Sequence, residues 1–480
     1  MRVSLTMIVK NEEADLPGCL ESVADLVDDI VVIDTGSTDR TKEVAARYGA
    51  RVFDFTWIDH FAAARNEGIK HAVGDWIFWM DADDRLDADN RGRLKQLFAG
   101  LRDELAGYMM KCVCRAEGAA GGVLVLNHMR LFRKHPEVRW QYRVHELIRP
   151  ALQKAGGITY WTDVVIQHTG YQSYEDYRRK VERNLRLLTI EHAEEPNDPF
   201  ILCNLGRTLM GLKRPAEAIP YLRRSLELSP DTANYLTKLY VLIGQGYAML
   251  GQKREALAVT QEGRARFPDD SELLFREAAL RLELGDLPGA EACLLELLRL
   301  PPEATHTIAV DPGLRGYKAR HNLAIVYHRQ GRFAEAEAQW NQVLAERPDY
   351  LEAWMGAADL LLSQKRVADV ERLIGELRAH PQFQSEAAML QARLHQERRE
   401  FASARALLEG VIARQPTALG PRVALSQVLL QEGRDLAAAE RALLAVLELD
   451  PGYEEARRSL ALLRQTRRPA LAPGSITVSW

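Results

Sequence analysis

The chain has 480 residues, with 63 Lys and Arg against 67 Asp and Glu and a formal charge of −4 at pH 7. That balance gives no general affinity for nucleic acid or an anionic membrane, and the sequence holds no run of about 18 apolar residues that would span one. Hydrophobic residues make up 47%, enough for two or more packed domains. Cys19, Cys112, Cys114, Cys203 and Cys293 are odd in number and lack metal-type spacing, which fits a reducing compartment. The opening residues, MRVSLTMIVKNEE, start a strand at once with no apolar leader, so the expectation is a cytoplasmic protein.

Strand and helix then alternate. Val3 to Val9 reads as a strand ending at Lys10-Asn11-Glu12-Glu13, and a helix is expected over Ala14 to Asp25. A second strand, Ile30 to Ile33, ends in Asp34-Thr35-Gly36-Ser37-Thr38-Asp39, where Gly36 permits a tight turn and Ser37 or Thr38 can cap the next helix. Arg51 to Phe55 is a third strand, and Phe61 to Ala72 is a helix carrying Arg65-Asn66. Asp75 to Asp84 has five unbroken apolar residues between acidic ends, the mark of a central strand buried on both faces. These lengths suit βαβ units and predict a parallel sheet with crossover helices. Ligands of such sheets sit outside the carboxyl ends of the strands, where Asp81, Asp83 and Asp84 fall. Carboxylates there can hold a hard divalent cation; a solvated acidic loop is the alternative.

After Asp84 the pattern predicts a helix near Asn90 to Gly100 and extended segments at Gly107 to Arg115 and Gly122 to Phe132, followed by Trp140 to Ile148, which holds His145-Glu146. A last strand, Thr162 to Gln167, leads into His168-Thr169-Gly170-Tyr171. From Ser173 the period is helical. Prolines recur at Pro230, Pro268, Pro302, Pro348, Pro381, Pro416 and Pro451, close to every 34 residues, with one longer gap near Glu303 to Arg315. An alanine precedes most of them by twelve residues: Ala218, Ala256, Ala290, Ala336, Ala404 and Ala439. This pattern resembles the tetratricopeptide repeat, a helix–turn–helix unit in which small residues let paired helices approach and the proline ends the second helix. The expected layout is an α/β domain over residues 1–172, a linking helix over 173–196, about seven repeats with a capping helix over 197–466, and a tail over 467–480.

Five stretches occur in one order: Met7-Ile-Val-Lys-Asn-Glu-Glu13, Val32-Ile-Asp-Thr-Gly-Ser-Thr-Asp39, Ala64-Arg-Asn66, Gly74-Asp-Trp76 and Asp81-Ala-Asp83. As a set they resemble a family 2 glycosyltransferase of the GT-A (Rossmann-like) fold, in the branch fused to tetratricopeptide repeats. His145-Glu146 and His168-Thr-Gly-Tyr171 match that branch more loosely. The branch includes enzymes acting on bacterial peptides and flagellins. The resemblance implies a nucleotide-sugar donor, a divalent metal (Mn²⁺ or Mg²⁺) and inversion at the anomeric carbon. It places Ile8, Lys10 and Glu12 at one side of the nucleoside and Asp34 and Thr35 at the other. Many relatives carry two adjacent acids at the second position, so which of Asp34 and Thr35 meets the base stays open.

The resemblance also implies that Arg65 contacts the nucleotide, and that Asp81, Ala82 and Asp83 bind the nucleotide-sugar, with both aspartates on the metal. His168 is the third metal ligand by this reading, and His145 its rival. Glu146 is the general base; the alternatives are a structural Glu146 paired with Arg143 or Arg149, and Asp163 as base. Arg130 and Arg133 could steady the diphosphate or lie on a solvated strand face. A nucleotide-sugar enzyme has no need of seven repeats, whereas stacked helix pairs make a surface for another protein chain. The expected acceptor is therefore Ser or Thr of a protein, with flagellin favoured, from a UDP-linked donor such as UDP-GlcNAc or UDP-Glc. Cysteine sulfur of a secreted peptide, a lipid or polysaccharide acceptor, and a non-catalytic repeat adaptor are the alternatives.

Overall fold

The computed structural model describes residues 1–115, 123–169, 174–301 and 311–466. Gly170-Tyr171, Ser173, most of the expected loop at Glu303 to Arg315 and the tail after Arg467 lie outside these residues. The chain divides into two compact units, Met1–Ala319 and Arg320–Trp480.

The first unit opens with β1 (Val3–Val9), α1 (Leu16–Glu21), β2 (Asp29–Asp34), α2 (Thr41–Arg47), β3 (Arg51–Asp54), α3 (Phe61–His71) and β4 (Trp76–Trp79). There follow β5 (Asp84–Arg85), α4 (Ala88–Ala99), β6 (Ala106–Arg115), β7 (Val123–Arg133), α5 (Arg149–Lys154) and β8 (Ile158–His168). Among the described residues these eight strands form one sheet in the order β3-β2-β1-β4-β7-β6-β8-β5. The four first strands are parallel, as expected. Beyond β4 the parallel expectation fails: β7 runs antiparallel to both β4 and β6. The chain between β6 and β7 is too short for a crossover helix, so the two must pair as a hairpin.

β4 is buried on both faces, and alternation assigns its side chains. Trp76 and Phe78 join Leu5, Met7, Leu16, Leu20 and Leu94 in one core, while Ile77 and Trp79 join Ala62, Ile69, Phe132 and Trp140 in the other. The strand therefore ends in a fixed place, and Asp81 to Asp84 with it. The pairing of β5 with β8 sets Asp84 opposite His168, which brings the late histidine to the acidic turn.

The unit continues with α6 (Tyr174–Glu194), α7 (Pro199–Gly211), α8 (Pro215–Leu228), α9 (Leu236–Met249), α10 (Lys253–Arg266), α11 (Ser271–Glu283) and α12 (Leu287–Arg299). α7 pairs with α8 because Gly206 leaves room for Leu222, whose side chain would lie 2.4 Å from an added Cβ. Gly244 likewise faces Thr260. Ala218, Ala256 and Ala290 are fully buried, as their spacing required. In the second unit, Gly356 faces the Trp340 ring, and Ala336, Ala404 and Ala439 are again fully buried. Its final helix, Glu454–Thr466, packs Ala456, Leu460 and Leu463 on Leu443 and Val446. Among the described residues no helix is long and apolar enough to cross a membrane.

Candidate active site

The turns after β1 and β2 are sewn together by hydrogen bonds. Asn11, at φ 58°, donates its N–H to Ser37 Oγ (2.9 Å), and its Oδ1 accepts from Thr38 N (2.7 Å). Glu12 N donates to Thr41 Oγ1, Glu13 N to Asp39 Oδ2, and Arg40 N to Glu13 Oε2. Most polar residues of both motifs thus build one wall. Asp34 and Thr35 are buried within it. The Thr35 hydroxyl is spent on Val9 O at 3.0 Å. Asp34 Oδ1 accepts from Gly36 N and Ser37 N, each at 2.9 Å, whereas Oδ2 is buried with no partner. An unpaired buried carboxylate oxygen is costly. Ile8 is half-buried and Lys10 exposed at the end of β1.

The three aspartates at the acidic turn diverge. Asp84 has no exposed surface; Oδ2 takes Arg130 Nη1 at 2.6 Å and Asp81 N at 2.9 Å, and Oδ1 faces His168 Nδ1 at 3.0 Å. Burial alone would raise its carboxyl, but the Arg130 charge and the His168 bond outweigh burial and hold it below the usual range. Ala82 is buried, and Asp81 and Asp83 stay partly exposed. Asp83 is raised, first by burial, against the charge of His168. Glu12 also faces this cluster: burial, then Asp83 and Asp15, push it up to about 7, while Lys180 of α6 opposes the shift. Asp81, Asp83 and Asp84 bring carboxylate oxygens within 4.8 Å of one another. Asp84, Cys112 and His168 form a second such group, but Arg130 sits against both Asp84 and the Cys112 thiol and already supplies the cation.

His168 Nδ1 lies 3.4 Å from Asp83 Oδ1 as well. Burial works against the charged ring, yet the Asp84 bond and the Asp83 and Asp84 charges push it up to about 9.

Arg65 joins the two halves of the site. It is 8% exposed, its Nε donates to Glu146 Oε1 at 2.6 Å, and its Nη2 donates to Asp81 Oδ1 at 3.0 Å. Trp79 and Trp140 cover the guanidinium at 4.2 and 5.2 Å. Asn66 clamps the backbone of Trp140, accepting its N–H (2.8 Å) and donating to its C=O (3.0 Å). Adjacent residues of α3 therefore fix both the start of the Trp140 to Ile148 segment and the glutamate within it.

Several of the alternatives fail here. Glu146 is held by Arg65, not Arg143, whose guanidinium goes to Glu194. His145 turns to Arg207, 3.1 Å away, instead of joining the aspartates. Arg130 is buried beneath the site, and Arg133 pairs with Asp103 and Asp75 at the opposite end of β4, so neither meets a diphosphate. The Trp140 to Ile148 segment is a tight loop closed by the bridge from Gln141 to Leu147. Asp163 is exposed and paired with Lys111. Sequence reasoning missed the inward turn of Asp84 and the stacking of Arg65; nothing in spacing alone signals either.

An acidic turn at the end of a buried central strand, facing two interlocked loops and followed by paired helices, defines a glycosyltransferase of family 2 with tetratricopeptide repeats, and the chain belongs to that family. The glycosyl transferase family 2 signature matches residues 4–148, and tetratricopeptide repeat signatures match 199–232, 327–394 and 389–454. Among similar proteins, a TPR repeat-containing protein of Synechococcus elongatus is 31% identical over 336 residues, 68% of this chain and 73% of the relative. The SPbeta prophage-derived glycosyltransferase SunS of Bacillus subtilis is 29% identical over 235 residues, 47% of this chain and 53% of the relative, so the chain spans about half of that protein. A solved tetratricopeptide repeat protein from Parabacteroides merdae is 17% identical, with a TM-score of 0.45 over 55% of this chain and 98% of that one.

Proposed function

We propose that this glycosyltransferase moves a sugar, with inversion, from a UDP-linked donor such as UDP-GlcNAc or UDP-Glc to Ser or Thr of a protein acceptor. The observation that carries the reading is the Arg65 bridge, which sets a partly exposed glutamate and a partly exposed aspartate on one buried guanidinium. Asp34, with one oxygen unpartnered, and the β1 end at Ile8, Lys10 and Glu12 receive the nucleoside. Asp81 and Asp83, whose carboxylate oxygens gather with those of Asp84 within 4.8 Å of one another, suit Mn²⁺ or Mg²⁺, and His168, 3.4 Å from Asp83, is the proposed third ligand. Such an ion, when bound, offsets charge on the leaving diphosphate.

Glu146 takes the proton of the acceptor hydroxyl as it attacks the anomeric carbon, and the bond to the diphosphate breaks on the opposite face. Oε1 is tied to Arg65, so Oε2 is the basic atom. Trp79 and Trp140 keep water from the guanidinium and so keep the carboxylate in place. The repeats supply a surface for a protein chain, and flagellin is the favoured acceptor by family resemblance. The test is mass spectrometry of flagellin co-expressed with the chain, with Glu146→Gln as control. A hexose or N-acetylhexosamine on Ser or Thr supports the reading; sugar on cysteine, or none with the donor consumed, refutes this choice of acceptor.

A further inference from the structure

The loop that carries Glu146 is held mainly from outside the sheet. Gln141 and Leu147 exchange both backbone hydrogen bonds, at 2.9 and 3.1 Å, and throw the intervening residues out as one tight loop. Within it Tyr142 (φ 73°) and His145 (φ 60°) are left-handed, which a non-glycine residue keeps only where its surroundings enforce it.

Those surroundings are α6 and α7. Tyr142 packs against Phe200 with the rings tilted by 44° and their centroids 4.7 Å apart, and its hydroxyl donates to Asp198 at 3.3 Å. Arg143 donates its N–H to Glu191 Oε1 at 2.7 Å and its guanidinium to Glu194, while its carbonyl accepts from Phe61 N of α3. Val144 is buried among Leu187, Leu188, Ile201 and Leu205. His145 Nε2 accepts from Arg207 Nη2; arginine can only donate, so the ring is neutral with its hydrogen on Nδ1. Burial, then Arg207 and Arg183, keep that ring well below the usual imidazole range. Four consecutive residues are thus each fixed by α6 or α7, and the fifth, Glu146, faces Arg65.

We infer that α6 and the first repeat helix, α7, form part of the catalytic unit, and that Glu191 and Arg207 are positioning residues for the Glu146 loop. The inference rests on Glu146 being the base. The first repeat then does more than dock an acceptor, and a chain cut near Asn197 would lose the Phe200, Ile201, Leu205 and Arg207 contacts and unseat the loop.

The test uses the full chain with Glu191→Ala, Arg207→Ala and, as the conservative change, Glu191→Gln, which can still accept the Arg143 N–H. Amide hydrogen exchange reads the loop, and hydrolysis of UDP-glucose and UDP-N-acetylglucosamine with Mn²⁺ reads the chemistry. Both alanine variants should exchange amides of residues 140–148 at least about tenfold faster, with β1 and β4 unchanged. Their kcat should fall by about ten- to a hundredfold at a donor KM within about twofold, and Glu191→Gln should restore most of it. Unchanged exchange in the loop, a loosened loop with unchanged kcat, or loosening that spreads into β1 and β4 overturns the inference. If Glu146→Gln itself keeps full kcat, the assignment of the base fails instead; exchange still decides whether α6 and α7 hold the loop, and does so alone if neither sugar nucleotide is turned over.

Discussion

Asp84→Asn isolates the buried ion pair under the acidic turn. Asp84 has no exposed side-chain surface and Arg130 only 2%. The substitution keeps the size of the side chain, and its amide oxygen can still accept one N–H. It removes the charged acceptor 2.6 Å from Arg130 Nη1. The guanidinium is left with the Cys112 thiol at 3.6 Å and the Trp79 face at 3.8 Å, and its Nε has no partner. The Trp79 contact exists before and after the change, so it cancels from the difference. A buried charge stripped of its partner costs about 3–5 kcal/mol, which for a unit of this size lowers the transition by on the order of 10 °C. Arg130→Met should cost less, because Asp84 keeps His168 and the Asp81 N–H. The double variant should recover most of either loss, since neither charge remains. Thermal and urea unfolding followed by tryptophan fluorescence measure this. A single-variant loss below about 1 kcal/mol, or a double variant at the sum of the singles, would refute the reasoning.

Glu146→Gln keeps the contact with Arg65 and removes basicity, so transfer should fall by about 10²–10⁴-fold with donor binding intact; isothermal titration with UDP separates the two. Gly206→Ala should destabilise the first repeat by about 1–3 kcal/mol, because the new methyl would meet Leu222; unfolding of the variant checks it. Glu191 supplies a pH test. Burial pushes its carboxyl up to about 7 from 4.5, while the Arg143 N–H and charge oppose the shift and Asp198 and Glu194 add to it. The folded state therefore holds this proton more tightly than the unfolded state. The cost of the buried charge is absent below about 4.5, grows as pH rises toward 7, and is complete above it. Glu191→Gln should raise Tm relative to wild type more at pH 8 than at pH 5, and an equal gap at both would contradict the assignment.

The fold was legible where period and composition constrain it. Apolar runs located β1, β2 and β4, and the alanine and proline spacing located the paired helices; Ala218 and Ala336 are buried because their helices could not otherwise meet. Strand direction beyond β4 was not legible, since an apolar run says nothing of its partner's sense, and only the short β6–β7 connection decides it. At the site, the chain order of acids identified the turn but not which carboxylate would face inward. Asp84 turns in because Arg130, 46 residues later, waits beneath it, and no local pattern reports such a pair. The same holds for Arg65 and Glu146, 81 residues apart. The helix at α6 read as a connector, because its contacts with the Glu146 loop are long-range and its own pattern is simply amphipathic.

The most direct test of the account is donor hydrolysis by the purified full chain. UDP release from UDP-glucose or UDP-N-acetylglucosamine is followed with Mn²⁺, with excess chelator, and in Asp83→Ala. The account predicts release that needs the metal and is lost in Asp83→Ala, with thermal unfolding of the variant close to that of wild type. Full turnover in excess chelator, or wild-type turnover by Asp83→Ala, would contradict it.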